Sequence, residues 1–323
     1  MRREDELDET EEDSEPTGGE LVIARRTEPG TAPGTLVVDP EAPPTVLRVI
    51  AFAPAAVDDL GEVAITEIPG LLAREDRVTW IDVVGLGDAV VLESLAAAIG
   101  MHRLVLEDVV NVHQRPKCEE YGDRVYLVTR MTMSEPVGAT EQVSLFLGPR
   151  FLVTLQEQLG DCLEPVRRRL RDSTSRLRQR GADYLAYAVL DAITDGYFPV
   201  LEELGERLEA LEVEALDRPS LTTLGRIRGI KRELMLVRRT LWPMREMLGT
   251  LLRDEVPWFE TQTRVFLRDC YDHSLQLLDI TDSCRELASG LMDVYLSSTG
   301  IHMNEVMKVL TIVSTVFIPL TFI

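Results

Sequence analysis

Paired cysteines are missing from this sequence. Its four, Cys118, Cys162, Cys270 and Cys284, form no CxxC motif and have no histidine at metal-ligand spacing. A zinc site or a disulfide framework therefore has no support, and reduced structural thiols are expected. Cys270 and Cys284, if on one helix, would lie about 21 Å apart at 1.5 Å per residue and could not bond to each other. Basic residues are also scarce, 34 against 55 acidic, which gives a net charge of −21. Such a surface repels phosphate backbones and excludes nucleic acid as a partner; a cation suits it better. The opening run MRREDELDETEEDSEP lacks an apolar stretch, so no signal peptide is predicted and the bulk of the chain is expected in the cytoplasm. In GLGDAV at 85–90, Val90 stands where a dinucleotide loop needs its third glycine, and that reading is set aside. The histidines His102, His113, His273 and His302 lie far apart with no nucleophile or paired base beside them, so nothing points to an enzyme.

What is present divides into four stretches. Residues 1–44 mix acid runs with Pro, Gly and Thr, and ten acids against two arginines in the first 20 residues supply −8 of the net charge; a solvated acidic tail is expected. From residue 45 to 180 the pattern predicts an α/β domain: strands at 46–52, 78–84, 123–133 and 142–156, the last a hairpin turning at Gly148-Pro149, with a helix at 88–100. Helices are predicted at 160–180, 182–216 and 220–253, and residues 181–256 read as a helical hairpin. After Val256-Pro257 the chain holds one further proline, Pro319. One helix of about 65 residues, roughly 100 Å long at 1.5 Å per residue, is expected there. The fold class is thus α+β: an α/β/α domain with a mixed sheet, a helical hairpin and a very long stalk helix.

The end of that helix is the informative part. VLTIVSTVFIPLTFI, Val309 to Ile323, carries no charge over 15 residues. It reads as a membrane helix of about 304–323 that is cut short, because a span needs about 20 residues. Stepping by threes and fours from Asn304 reaches Asp293, Ser297, Gly300, Met307, Thr311, Ser314, Ile318 and Thr321, one stripe of mostly polar or small residues. Polar side chains at membrane depth face water or one another; packing through small polar residues is the competing reading. The acids Glu202, Glu203, Glu206, Glu209, Glu212, Glu214 and Asp217 are expected to form a solvated face, with attraction of cations as a second role.

Several blocks carry a family resemblance: LVLEDVVNVHQRPK at 104–117, EQVSLFL with FLVTLQE, GADYLAYAVLDAITDGYF at 181–198, IKRELMLVRRTLWPMRE, and the run from FLRDCYDHS to the end. Over residues 45–323 the chain resembles the CorA family of magnesium channels. The resemblance implies a homopentamer in a cell or inner membrane, with residues 1 to about 303 cytoplasmic and five first membrane helices lining one pore. The family's Gly-Met-Asn signature and second membrane helix would follow Ile323, so the chain is expected to end inside the first span. The transported ion is expected to be Mg2+, with Co2+ or Ni2+ as further cargo. In the pore Asp293 and Asn304 would offer oxygens to a hydrated cation, and Met307 and Leu310 an apolar constriction. A regulatory Mg2+ is expected between Glu107 and Asp108 of one subunit and Asp269, near Asp191, of the next. Bare facing carboxylates would repel by roughly 4 kcal/mol per pair at an effective dielectric of 20, so the ion would hold the interface shut. The alternatives are a non-conducting metal-sensing domain that oligomerises, and a zinc transporter of the ZntB type, against which the hard carboxylate donors argue.

Overall fold

The structure is a computed structural model that describes residues 30–133, 137–217, 219–253 and 258–320. Its centre is a seven-stranded sheet. The strands are β1 (Val46–Ala53), β2 (Ala56–Glu62), β3 (Val78–Val84), β4 (Lys117–Tyr121), β5 (Arg124–Thr132), β6 (Thr140–Gly148) and β7 (Phe151–Gln156), in the order β2-β1-β3-β7-β6-β5-β4. β3 and β7 run parallel and every other neighbouring pair antiparallel, so the sheet is mixed. The central strands are buried on both faces and read as near-continuous apolar runs. Those are the strands the sequence predicts.

Helices cover the two faces and make the α/β/α layering. On one side α1 (Ile68–Leu72), α2 (Ala89–Ile99) and α3 (Arg103–Val110) pack over Val49, Ile81, Val83, Tyr126 and Phe146. On the other, α4 (Glu164–Arg171), α5 (Ala182–Asp195), α6 (Tyr197–Asp217), α7 (Leu221–Leu251) and α8 (Thr261–Leu320) share a core with Trp80, Leu127, Leu145 and Leu152.

Several expectations are corrected. The single helix predicted over 160–180 is two pieces, because Asp172 Oδ1 accepts from Thr174 N and Oγ1, both at 2.8 Å, and turns the chain out of α4. The helix predicted over 182–216 breaks at Gly196, where Pro199 lacks the N–H that would bond the Asp195 carbonyl. The long helix starts at Thr261, not 257. There Asp183 Oδ2 accepts from Glu260 N at 3.1 Å and from Thr263 Oγ1 at 2.6 Å, capping its first turn. Residues 30–44, assigned by composition to the tail, lie along the domain. Leu36 and Val38 pack against the α1–α3 core, and Gly87 N donates to Pro43 O at 3.0 Å. Gly85 and Gly87 let that close approach occur, since a Cβ on either would meet the 42–44 carbonyls at 2.3–2.8 Å.

From Ser298, whose hydroxyl bonds Leu216 O at 3.2 Å, α8 leaves the domain. Residues 301–318 are exposed apart from half-buried Ser314.

Candidate metal centre and ion path

The residues singled out in sequence fall into three places. Glu107 and Asp108 sit half-buried near the end of α3. Asp191 lies on α5 and Asp269 on α8, and these two helices pack side by side on the opposite face of the sheet. Within one chain the sheet therefore keeps Asp108 away from Asp269.

Neither α3 carboxylate is bare, and this corrects the repulsion argument. Asp108 Oδ2 accepts from Lys117 Nζ at 2.6 Å and Oδ1 from Gln114 Nε2 at 3.0 Å. Lys117 also donates to Glu119 at 2.6 Å. Although its own partial burial disfavours the charge, its bonds to Asp108 and Glu119 hold its pKa above the usual lysine value. Glu107 Oε2 accepts from the backbone N–H of Gly34 at 2.6 Å, so the segment before β1 is held to α3 by this carboxylate. The charge that α3 presents to a neighbour is thus reduced by an ammonium in its own chain.

On the other face the geometry gathers more than expected. Asp191 and Asp195 are four residues apart on α5, as are Asp269 and His273 on α8, so each pair shares one helix face. Single ligand atoms of Asp191, Asp195 and His273 all lie within 4.8 Å of one another. His273 Nδ1 is 2.9 Å from Asp195 Oδ1, and its Nε2 is 4.0 Å from Asp269 Oδ2. Beneath them Thr194 Oγ1 and Cys270 Sγ, 3.2 Å apart, join the helices. Burial, then the Asp195 charge, pushes Asp191 up to about 6. A cation among these groups would relieve that crowding. The carboxylates suit Mg2+, and the imidazole adds a donor preferred by Co2+, Ni2+ or Zn2+. His273 and Asp195 were not picked out in sequence, yet the two i,i+4 pairs were a readable signal.

A second ionic cluster has a structural role. Arg167 bonds Asp82 at 2.6 Å and also Asp161, stacks over Trp80 at 5.5 Å, and so ties α4 to β3. Each of its charged groups has a partner inside the cluster, one guanidinium serving two carboxylates.

Along α8, Asp293, Asn304, Met307, Leu310, Thr311 and Ile318 are exposed and Ser314 half-buried; Thr321 lies outside the described residues. Thr311 Oγ1 donates to Met307 O at 2.8 Å, which leaves only hydroxyl lone pairs to point outward, as a cation path needs. An 18-residue window within Thr261–Ile318 has mean hydropathy 1.4 and none of it is buried, so this helix is long and apolar enough to cross a membrane.

Residues 75–323 match the family described as CorA-like Mg2+ transporter protein. The chain belongs to that family. It is 41% identical over 273 residues to the cobalt/magnesium transport protein CorA of Thermotoga maritima, covering 83% of this chain and 78% of that one. To the putative metal ion transporter YfjQ of Bacillus subtilis it is 33% identical over 245 residues, 76% of each chain. The complete CorA magnesium transporter of Methanocaldococcus jannaschii superposes with a TM-score of 0.71 at 24% identity, over 88% of this chain and 84% of that one. The ZntB cytoplasmic domain of Vibrio parahaemolyticus does so at 0.63 and 10% identity, over 79% and 98%. These two likenesses show that the CorA-like fold, long C-terminal helix included, is the fold found here.

Proposed function

We propose that this chain is one subunit of a homo-oligomeric, membrane-embedded Mg2+ channel that also passes Co2+, with α8 as the stalk and first pore helix. The observation that carries the reading is α8 itself. It runs unbroken from the domain core into an unburied apolar stretch that still bears a polar stripe, and an exposed helix of that kind needs like partners around it. Five copies would place Asn304 and Thr311 in rings along the path, with Met307 and Leu310 as the apolar constriction.

The gate follows from the sheet. Asp108 with Glu107 on one face, and Asp191 with Asp269 on the other, meet only when a neighbouring copy brings its opposite face. Bound Mg2+ would then bridge subunits largely through its own waters, and its loss would let them part. Lys117 weakens the repulsion, so the ion-free interface loosens without bursting.

Mg2+ flux into proteoliposomes, read with an entrapped indicator, tests the reading. Flux that saturates with external Mg2+ and falls when Mg2+ is raised on the domain side is expected. Intact oligomers with no flux of any divalent ion would instead favour the non-conducting sensor, and Zn2+ flux without Mg2+ flux the ZntB-type alternative.

A further inference from the structure

In a chain of net charge −21, α7 is basic: Leu221–Leu251 holds seven bases against Glu233 and Glu246. Some of that charge is used inside the subunit, with Arg226 bonded to Glu214 at 2.6 Å and Arg238 to Asp282 at 2.9 Å. Arg228, Arg232 and Arg239 are different. Spaced by four and seven residues, they share one face with Met235 and Trp242, and all five are exposed. No hydrogen bond or ion pair engages these three guanidiniums among the described residues. Glu246 ends the basic stretch of the stripe.

We propose that this arginine stripe on α7 docks the acidic segment 4–15 of the same chain. Residues 4–15, EDELDETEEDSE, contain nine acids and no base, which is the charge complement of the stripe. Leu7 is the one large apolar side chain among them, available to Met235 and Trp242. The segment is long enough: Arg228 to Trp242 spans about 21 Å of helix at 1.5 Å per residue, and twelve extended residues reach up to about 40 Å.

The point of attachment also agrees. The described chain is held at Gly34 by Glu107 on α3, α3 reaches β4 through Asp108 and Lys117, and β4 packs on α7. The 18 residues between Glu15 and Gly34 let the chain reach up to about 65 Å, enough to round that sheet edge. Tethering raises the local concentration of the segment to roughly the millimolar range, well above any free competitor. A lipid surface does not fit. Arg238 pairs with Asp282, 27 residues before Val309 where the uncharged run begins, so the stripe lies about 40 Å along the stalk from the bilayer.

The test uses the whole protein with a benzophenone amino acid at Met235, an exposed position outside the proposed ion site. Irradiation followed by trypsin should link α7 to the fragment 4–25. Replacing Arg232→Glu and Arg239→Glu together, or raising NaCl from 0.05 to 0.5 M, should lower that product at least fivefold, because exposed ion pairs are screened. A crosslinking chain that lacks residues 4–15, co-assembled with intact copies, should give no product. Product from that hybrid, links to the acidic face of α6 of another copy, or a tail link indifferent to charge reversal and salt would each overturn the proposal. Mg2+ flux reads the channel assignment separately, so its failure is distinguishable from failure of the docking.

Discussion

Lys117 Nζ and Asp108 Oδ2 lie 2.6 Å apart, and the same ammonium bonds Glu119 at 2.6 Å. An ammonium and a hydrated divalent cation at that carboxylate repel each other and share its lone pairs. At the proposed inter-subunit site Lys117 would therefore compete with Mg2+ and raise the concentration needed to close it. Lys117→Met should move the midpoint of Mg2+-dependent protease protection to roughly two- to fivefold lower Mg2+, the scale of one partly exposed ion pair. An unmoved midpoint would show that Mg2+ does not use Asp108.

Removing the carboxylates acts in the other direction. At Mg2+ tenfold above its dissociation constant, a ligand bound only by the closed form stabilises it by about 1.4 kcal/mol. Asp108→Asn and Asp269→Asn, alone and together, should keep less than half of the Mg2+-dependent protection, because ion site and residual repulsion shrink together. Wild-type protection in the double variant would reduce both to ordinary surface acids.

The pore stripe makes a separate claim. Asn304→Leu should abolish Mg2+ uptake while the mass of the detergent-solubilised assembly stays that of wild type. Undiminished uptake would mean that this face packs against other helices instead of lining the path.

Glu141, on β6, gives a pH dependence. The residue is 4% exposed, and among the described residues its Oε1 has no hydrogen-bond partner. Burial, with the charges of Glu157 and Asp161, pushes it up to about 7, against the pull of the Gln158 backbone N–H and Arg130. Because the folded pKa lies above the unfolded one, the native state holds a proton that the unfolded chain has released. Stability from this group is therefore lost as pH rises from about 4.5 to 7. E141Q keeps the neutral form, so its unfolding temperature should gain on wild type across that window and hold the gain above it, by the equivalent of roughly 3 kcal/mol. Equal pH profiles from 5 to 8 would place the proton elsewhere.

How much of this was legible in sequence follows burial. β3, β6 and β7 announce themselves because both their faces are covered. β2, AVDDLGE, and β4, KCEEY, are polar edge strands, exposed or half-buried along their length, and their pairing comes from β1 and β5 rather than from their own pattern. α3 is too short to show a period, so LVLEDVV was readable only as a motif. The Asp191–Asp269 side of the site could be placed on facing helices, but its fourth member, His273, needed the packing of α5 on α8. Lys117 as partner of Asp108 was out of reach, since nothing in VLEDVVNVHQRPK says that the chain reverses at β4 to bring residue 117 back over residue 108.

From His273, beside the acidic cluster, to Asn304 is 31 residue steps of uninterrupted helix, about 46 Å at 1.5 Å per residue, with no proline to bend it. α8 is in this respect a lever. A tilt of about 5° at the level of His273 sweeps Asn304 sideways by about 4 Å, more than the radius of a water molecule. In the proposed channel, cation binding at the acidic cluster would not need to be communicated residue by residue. Small rigid rotations of each subunit, summed around a ring, would widen or close an aperture of molecular size.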